Sequence, residues 1–112
     1  MDFTVNEKNG VMVISPQGKI MGGPDATKLH DKLLELISQD KKRIVIDLSQ
    51  VDWMNSTGLS ILISAFIAIR DNQGELKLAN VTERIGKLLE ITRLTKVFEK
   101  FESVEKAVQS FG

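Results

Sequence analysis

Cysteine is absent from this sequence of 112 residues. The chain therefore has no disulfide, no thiolate nucleophile and no cysteine ligand for a metal, and a cytoplasmic location is the default expectation. Histidine is almost absent, because His30 is the only one. A Ser-His-acid triad would need His30, which lies inside a predicted helix, so we expect no hydrolase of that type.

Net charge is also lacking, since Lys and Arg together number 15 and Asp and Glu together number 15. Without an overall field to attract polyanions, neither nucleic acid nor an acidic membrane surface is expected as a partner. The N-terminus is acidic where a signal peptide needs basic residues. The longest apolar stretch, Gly58 to Ile69, is about half of the roughly 20 residues that a membrane-spanning helix needs.

Strand and helix patterns alternate along the chain and predict an α/β fold. An opening β-hairpin is predicted around the turn signal EKNG. Further strands are predicted at Ile44–Leu48 and at Glu75–Ala79, and a short extended piece begins at Val97-Phe98. Helices are predicted after Gly22-Gly23-Pro24-Asp25 and from Thr57 to Ile69. Two more are predicted after the caps Thr82 and Ser103, the first with an apolar face of Ile85, Leu88, Leu89 and Thr92. Such alternation favours parallel crossovers. We therefore expect one domain, residues 1–112, with a mixed, mostly parallel sheet, an N-terminal β-hairpin and about four packed helices.

Templates for catalysis and cofactor binding do not fit the residues present. The segment GKIMGG lacks the Gly-Lys-Ser/Thr order of a phosphate loop, and NSTGL around Ser56 lacks the leading glycine of a nucleophile elbow. No cluster of His or carboxylates has metal-ligand spacing. Asp47 and Asp52 could approach each other, although acids near a strand end are more often solvated or capping groups. We expect no enzyme activity, no cofactor and no metal.

The central stretch DLSQVDWMNSTGLSILISAFIAI contains the best candidates for a functional site. A polar loop carrying Trp53 and Met54 is predicted there, and Ser56 and Thr57 stand directly before an apolar helix. Their hydroxyls can cap that helix by accepting hydrogen bonds from its first amides. A phosphoryl group on Ser56 would meet the same amides and the positive end of the helix dipole. Both roles remain open, as do core closure and interface contact for Trp53.

The segment VIDLSQVDWMNSTGLSIL resembles the signature of the bacterial anti-sigma factor antagonists, the STAS-domain family. The likeness extends over nearly the whole chain, including VISPQGKI and ELKLANVTERIGKLLEITRLTKVFEKFESVEKAV. The resemblance implies a regulatory protein that binds an anti-sigma factor, itself a serine-protein kinase, and so releases sigma factor. It also implies that phosphorylation of the first serine of the motif breaks the complex and that a phosphatase restores it.

Carried onto this sequence, the family motif makes Ser56 the phosphorylation site. Thr57 matches the second hydroxyl of the motif, Gly58 the close-packed helix start and Met54 the apolar loop residue. The implied partner-binding residues are Trp53, Met54, Asn55, Ser56, Thr57, Gly58 and Met21.

Two positions depart from the family pattern. Asn55 and Met21 stand where the family usually has Asp, which makes the surface around Ser56 less anionic. An alternative function therefore stays open: a non-phosphorylated STAS scaffold or regulatory subunit of a larger signalling or transport assembly.

Overall fold

The N-terminal β-hairpin forms as the sequence predicts. The computed structural model describes residues 2–21 and 23–111, so Gly22 in the predicted helix entry lies outside the described residues. Strands β1 (Asp2–Lys8) and β2 (Val11–Ile20) pair antiparallel. Asn9 and Gly10 join them with φ angles of 52° and 80°. A tight two-residue turn requires positive φ at both positions, and Asn and Gly adopt it at low cost.

The rest of the sheet is parallel. Within the described residues its strands are β3 (Arg43–Asp47), β4 (Val51–Met54), β5 (Glu75–Ala79) and β6 (Lys100–Phe101), and the spatial order is β1-β2-β3-β5-β6 with β4 beside β2. Strand β2 changes partner along its length, from β3 at residues 12–14 to β4 at residues 18–20. The register shifts at Gly18, whose φ of 84° suits a bulge.

Two strand predictions are wrong. The residues of β4 are predicted to form a loop, because four residues with an exposed Asp52 give no clear alternation. The last strand begins at Lys100 and not at Val97, which lies in a turn. Phe98 is buried because it packs in the core, where its ring centroid is 5.4 Å from that of Phe66. Phe98 is therefore apolar because it packs in the core, and it does not belong to a strand.

Helices cover both faces of the sheet. Helices α1 (Pro24–Ser38), α2 (Ser56–Asp71) and α3 (Glu83–Ile91) share one core, and α4 (Val104–Gln109) covers the opposite face. The caps predicted for the last two helices are confirmed, since Thr82 and Ser103 each accept a hydrogen bond from an amide of the first turn. The predicted α/β fold with a mixed sheet and an N-terminal hairpin is confirmed.

Two apolar clusters hold the layers together. The larger lies between the sheet and α1, α2 and α3, and its fully buried members include Ile14, Leu29, Leu33, Ile44, Ile46, Leu62, Ile69, Leu78, Ile85 and Leu89. The smaller lies under α4 and consists of Val11, Val13, Val45, Ala79, Val104, Ala107 and Val108. Each fully buried Leu or Ile contributes about 1.5–3 kcal/mol, so the larger cluster dominates stability. No helix in the described part of the chain is long and apolar enough to span a membrane.

Candidate functional site

The ends of β2 and β4 and the start of α2 meet at one edge of the sheet. Ile20 and Met54 are paired in parallel register, and the chain enters α2 directly after Asn55. The backbone of Asn55 is extended, with φ −102° and ψ −178°, and its side-chain oxygen accepts a hydrogen bond of 2.6 Å from the Gly58 amide. Asn55 is therefore the N-cap of α2.

Ser56 and Thr57 do not cap α2, so the capping role that the sequence leaves open for their hydroxyls is wrong. Both residues already belong to the first turn of the helix, and both are exposed. A cap needs non-helical backbone angles, and in this segment Asn55 has them. The hydroxyl of Ser56 is thereby left out of the cap, at the exposed first position of α2.

Gly58 is the residue through which α2 rests on β2. A Cβ built on Gly58 would overlap the carbonyl oxygen of Ile20 and stand 2.7 Å from the carbonyl carbon. Only glycine allows so close an approach. That carbonyl is bonded to the nitrogen of Met21, whose side chain is 49% exposed. Met21 therefore presents an apolar side chain to solvent beside the first turn of α2.

A groove of about 610 Å³ separates β4 from α3. Met54, which is 5% exposed, forms part of its floor, and the half-buried Trp53 lines it as well. From α3 come Leu88 and Ile91, and Ile91 is 78% exposed. Trp53 thus packs partly against the domain and partly borders an open apolar groove.

The rim of this groove is charged, with two basic residues and one acidic residue, Glu83, so its net charge is positive. Arg84 and Lys87 line it from α3. Lys87 lies 3.7 Å from the carboxylate of Glu83, and both side chains are largely exposed, whereas Arg84 has no ion pair among the described residues. The contribution of α3 is absent from the sequence prediction. The sequence feature that points to this contribution is Ile91. This apolar residue lies outside the predicted apolar face of the helix, which consists of Ile85, Leu88, Leu89 and Thr92.

Asp47 is held by hydrogen bonds at the end of β3. Its carboxylate accepts from the Asn80 side chain at 2.9 Å, from the Ser49 amide at 3.0 Å and from the Ser15 hydroxyl at 3.4 Å. Partial burial acts to raise the pKa of Asp47, but the hydrogen bonds outweigh it and hold the pKa below its ordinary value. Asp52 is exposed on β4. The bonds of Asp47 join strand ends, which is a structural role.

The predicted partner-binding residues fall into three groups by exposure. Met54 and Gly58 are buried and shape the surface from below, whereas Met21, Ser56 and Thr57 are exposed. Trp53 and Asn55 are partly exposed. Within residues 2–21 and 23–111, no group of three or more His, Asp or Glu side chains is arranged to hold a metal ion. The accessible groups are thus hydroxyls, an amide and apolar side chains, which can bind another protein.

Comparison with known proteins identifies the family of this chain. The family model described as STAS domain matches residues 2–107. An anti-sigma-B factor antagonist of Staphylococcus aureus is 36% identical over 76 residues, which cover 67% of this chain and 70% of that protein. An anti-sigma-B factor antagonist of Listeria monocytogenes is 42% identical over 65 residues, which cover 56% of this chain and 57% of that protein.

A solved structure matches over the whole domain. The Bacillus cell fate determinant SpoIIAA in its phosphorylated form superposes with a TM-score of 0.77, over 99% of this chain and 100% of that chain. The two sequences are 16% identical, so this likeness shows a shared fold.

Proposed function

The chain belongs to the STAS domain family, and from this premise we propose that it is an anti-sigma factor antagonist. It binds an anti-sigma factor that is also a serine-protein kinase, and binding releases sigma factor. Phosphorylation of Ser56 by that kinase switches the antagonist off, and a phosphatase acting on the phosphorylated form restores it. The family match places the chain among regulatory binding domains rather than enzymes.

One observation carries this proposal: Ser56 is exposed at the first position of α2 while its neighbour Asn55 caps the helix. A phosphoryl group on Ser56 therefore removes no hydrogen bond from the cap. It also lies next to free amides and the positive end of the helix dipole, which favour negative charge. The domain can thus stay folded in both states, as a reversible switch requires.

The surface around Ser56 explains how a phosphate would abolish binding. Met21, Trp53 and Ile91 offer apolar area on this side of the domain. A partner that covers this area also removes water from Ser56. Phosphorylation adds about −1.5 to −2 charges at pH 7, and burying an unpaired charge against apolar groups is costly. Phosphorylated Ser56 should therefore weaken the complex.

The lining and the rim of the groove beside β4 indicate what kind of partner surface would fit there. Its apolar lining suits an apolar anchor of the partner, and Arg84 and Lys87 on the rim suit acidic residues. The proposal needs neither nucleic acid nor a membrane, and it places the protein in the cytoplasm, where sigma factors act.

A second candidate is a non-phosphorylated STAS scaffold or regulatory subunit of a larger signalling or transport assembly. The observation that favours it is the pair Asn55 and Met21, which stand where the family usually has Asp. Without those carboxylates the surface around Ser56 offers a kinase fewer charged groups to recognise. Unmodified Ser56 under all growth conditions, together with a stable partner that is not a kinase, supports this candidate.

The test is an affinity capture from the native cells, with mass spectrometry that identifies the bound proteins and maps phosphate on the chain. We expect the wild-type chain and Ser56→Ala to retain a kinase-type anti-sigma factor. Ser56→Asp should bind it at least about tenfold more weakly, a loss of ~1.4 kcal/mol. Thr4→Asp is the control, because it adds the same charge at an exposed position of β1. Equal retention by Ser56→Ala and Ser56→Asp contradicts the switch.

A further inference from the structure

Helices α1 and α2 leave an open cleft of about 350 Å³ between them. Its floor is apolar and consists of Leu29 and Leu33 from α1 and Ile61 and Ala65 from α2. These four side chains are at most 5% exposed and belong to the larger core. The cleft therefore has a rigid apolar base set by the packing of the whole domain.

The rim of the cleft is polar and built from small side chains. Thr27 and His30 line it from α1, and Ser60 and Ser64 line it from α2. The Ser60 hydroxyl donates to the carbonyl of Thr57 at 2.5 Å. Within the described residues, the side chains of Thr27, His30 and Ser64 make no hydrogen bond to the protein. The rim thus presents three side chains that can donate to a ligand.

The charges around the cleft limit the chemistry of a ligand. Among the described lining residues there is no Lys, Arg, Asp or Glu, and His30 is the one ionisable group. A cationic ligand would find no carboxylate there, and a phosphate would find no Lys or Arg to balance its charge. A purely apolar ligand would cover the three donors without supplying an acceptor, which costs free energy.

We propose that this cleft binds a small apolar monocarboxylate. The hydrocarbon body lies on the floor, and the carboxylate accepts hydrogen bonds from His30, Ser64 and Thr27. The volume of the cleft lies at the lower end of the range of about 300–1,000 Å³ that is typical of small-molecule sites. It therefore suits one short chain or ring.

The cleft does not depend on the proposed function, but its ligand would lie near the N-terminal end of α2, where Ser56 is located. Ser60 follows Ser56 by four residues, which is about 6 Å along the axis of α2. A bound ligand would therefore contact the second turn of the helix whose first residue is the candidate phosphorylation site.

The test is a titration of the ¹⁵N-labelled full chain, followed through its amide resonances by two-dimensional NMR. The probes are octanoate, octan-1-ol and octylamine, which share one body and differ in the charge of the head group, and acetate, which has the head without the body. We expect saturable shifts of the cleft residues with octanoate, at a dissociation constant below about 1 mM. Octanol should bind several-fold more weakly, and octylamine and acetate should give no saturable shift.

Three variants locate the site. Ser64→Leu fills the cleft and should abolish octanoate binding, whereas Ser64→Ala keeps the space and should weaken binding only several-fold. His30→Gln should remove most of the preference for octanoate over octanol. Thermal unfolding of each variant checks that the variant is folded. Because His30 is exposed, His30→Gln should stay folded and tests the site even where Ser64→Leu unfolds. Absence of saturable binding, equal binding of the three head groups, or undiminished binding in folded Ser64→Leu overturns the proposal.

Discussion

At the start of α2, the side chain that caps the helix and the hydroxyl proposed to accept a phosphate belong to neighbouring residues. The types Asn, Ser and Thr all predict a cap, and sequence alone cannot rank Asn55, Ser56 and Thr57. Backbone angles make the choice, because Asn55 is extended and Ser56 is already helical. Those angles follow from the end of β4, a strand that the sequence pattern does not reveal.

The cap can be tested by substitution at position 55. Asn55→Ala removes the acceptor of the 2.6 Å hydrogen bond from the Gly58 amide and should lower the free energy of unfolding by about 1 kcal/mol. Asn55→Asp keeps an acceptor and adds a negative charge near the positive end of the helix dipole, so it should be at least as stable as wild type. Urea unfolding at neutral pH measures both. A Ser56→Ala variant that costs as much as Asn55→Ala would contradict the cap assignment.

At the scale of elements, the contact between α2 and β2 depends on a missing side chain. Gly58→Ala would drive a methyl group into the Ile20 carbonyl, so it should lower the free energy of unfolding by about 1–3 kcal/mol. Gly86→Ala is the matched control, because Gly86 is also helical but its added Cβ would meet nothing closer than Val81 Cγ1 at 3.9 Å. Alanine has the better helix propensity, so Gly86→Ala should gain up to about 1 kcal/mol. Equal effects of the two substitutions in urea unfolding would refute the close contact.

Helix α4 is attached to the sheet through a buried lysine. Lys77 on β5 is 5% exposed, and its ammonium group donates to the Ser110 hydroxyl at 2.8 Å. The same ammonium lies 4.3 Å from the centroid of the Phe111 ring and 3.6 Å from the carboxylate of Glu99. A six-residue helix is too short to be stable alone. Its docking therefore depends on these contacts and on the apolar cluster beneath it.

A comparison of Ser110 with Ser38 tests how much the hydrogen bond from Lys77 contributes to this attachment. Ser110 and Ser38 each donate to a carbonyl of their own helix at 2.6 Å, but only Ser110 accepts from Lys77. Ser110→Ala should lower the free energy of unfolding by about 0.5–1.5 kcal/mol, because the ammonium loses its shortest hydrogen bond while it keeps the carboxylates of Glu75 and Glu99. Ser38→Ala should change it by less than about 0.5 kcal/mol. Chemical denaturation measures both, and amide hydrogen exchange should show faster exchange in α4 of Ser110→Ala alone.

At the scale of the whole molecule, Asp47 connects segments that are far apart in sequence. Its hydrogen bonds reach Ser15 on β2 and Asn80 after β5. The pKa of Asp47 lies below its ordinary value of 3.8 in the folded chain. Its stabilising contribution is therefore fully present well above pH 3.8, and it is lost as the pH falls through the lower folded pKa.

Acid unfolding should reveal this contribution. Asp47→Asn should be less stable than wild type at neutral pH, because the amide cannot reproduce all the accepted hydrogen bonds. The difference should shrink as the pH falls below 3.8, where the wild-type carboxylate becomes protonated. Asp52→Asn, on an exposed position of β4, is the control for the loss of one carboxylate. A stability difference between Asp47→Asn and wild type that is the same at every pH would contradict the assigned role.

Much of the fold follows from the sequence, because most elements have their own local pattern. The hairpin turn, the buried runs of β3 and β5 and the apolar faces of the helices are visible without tertiary information. Strand β4 is not, because it exists only by pairing with β2 beyond the bulge at Gly18. The groove between β4 and α3 is hidden for the same reason. The motif locates Ser56, but the surroundings of Ser56 are set by long-range pairing.

The separation of Asn55 from Ser56 has an evolutionary consequence. Because the helix start is secured by position 55, the residue at position 56 can be exchanged over generations without a folding penalty. Serine, alanine or an acidic residue can each occupy it in a stable domain. A lineage can thus acquire or lose this point of control through a single codon, and natural selection can adjust signalling while the architecture of the domain remains unchanged.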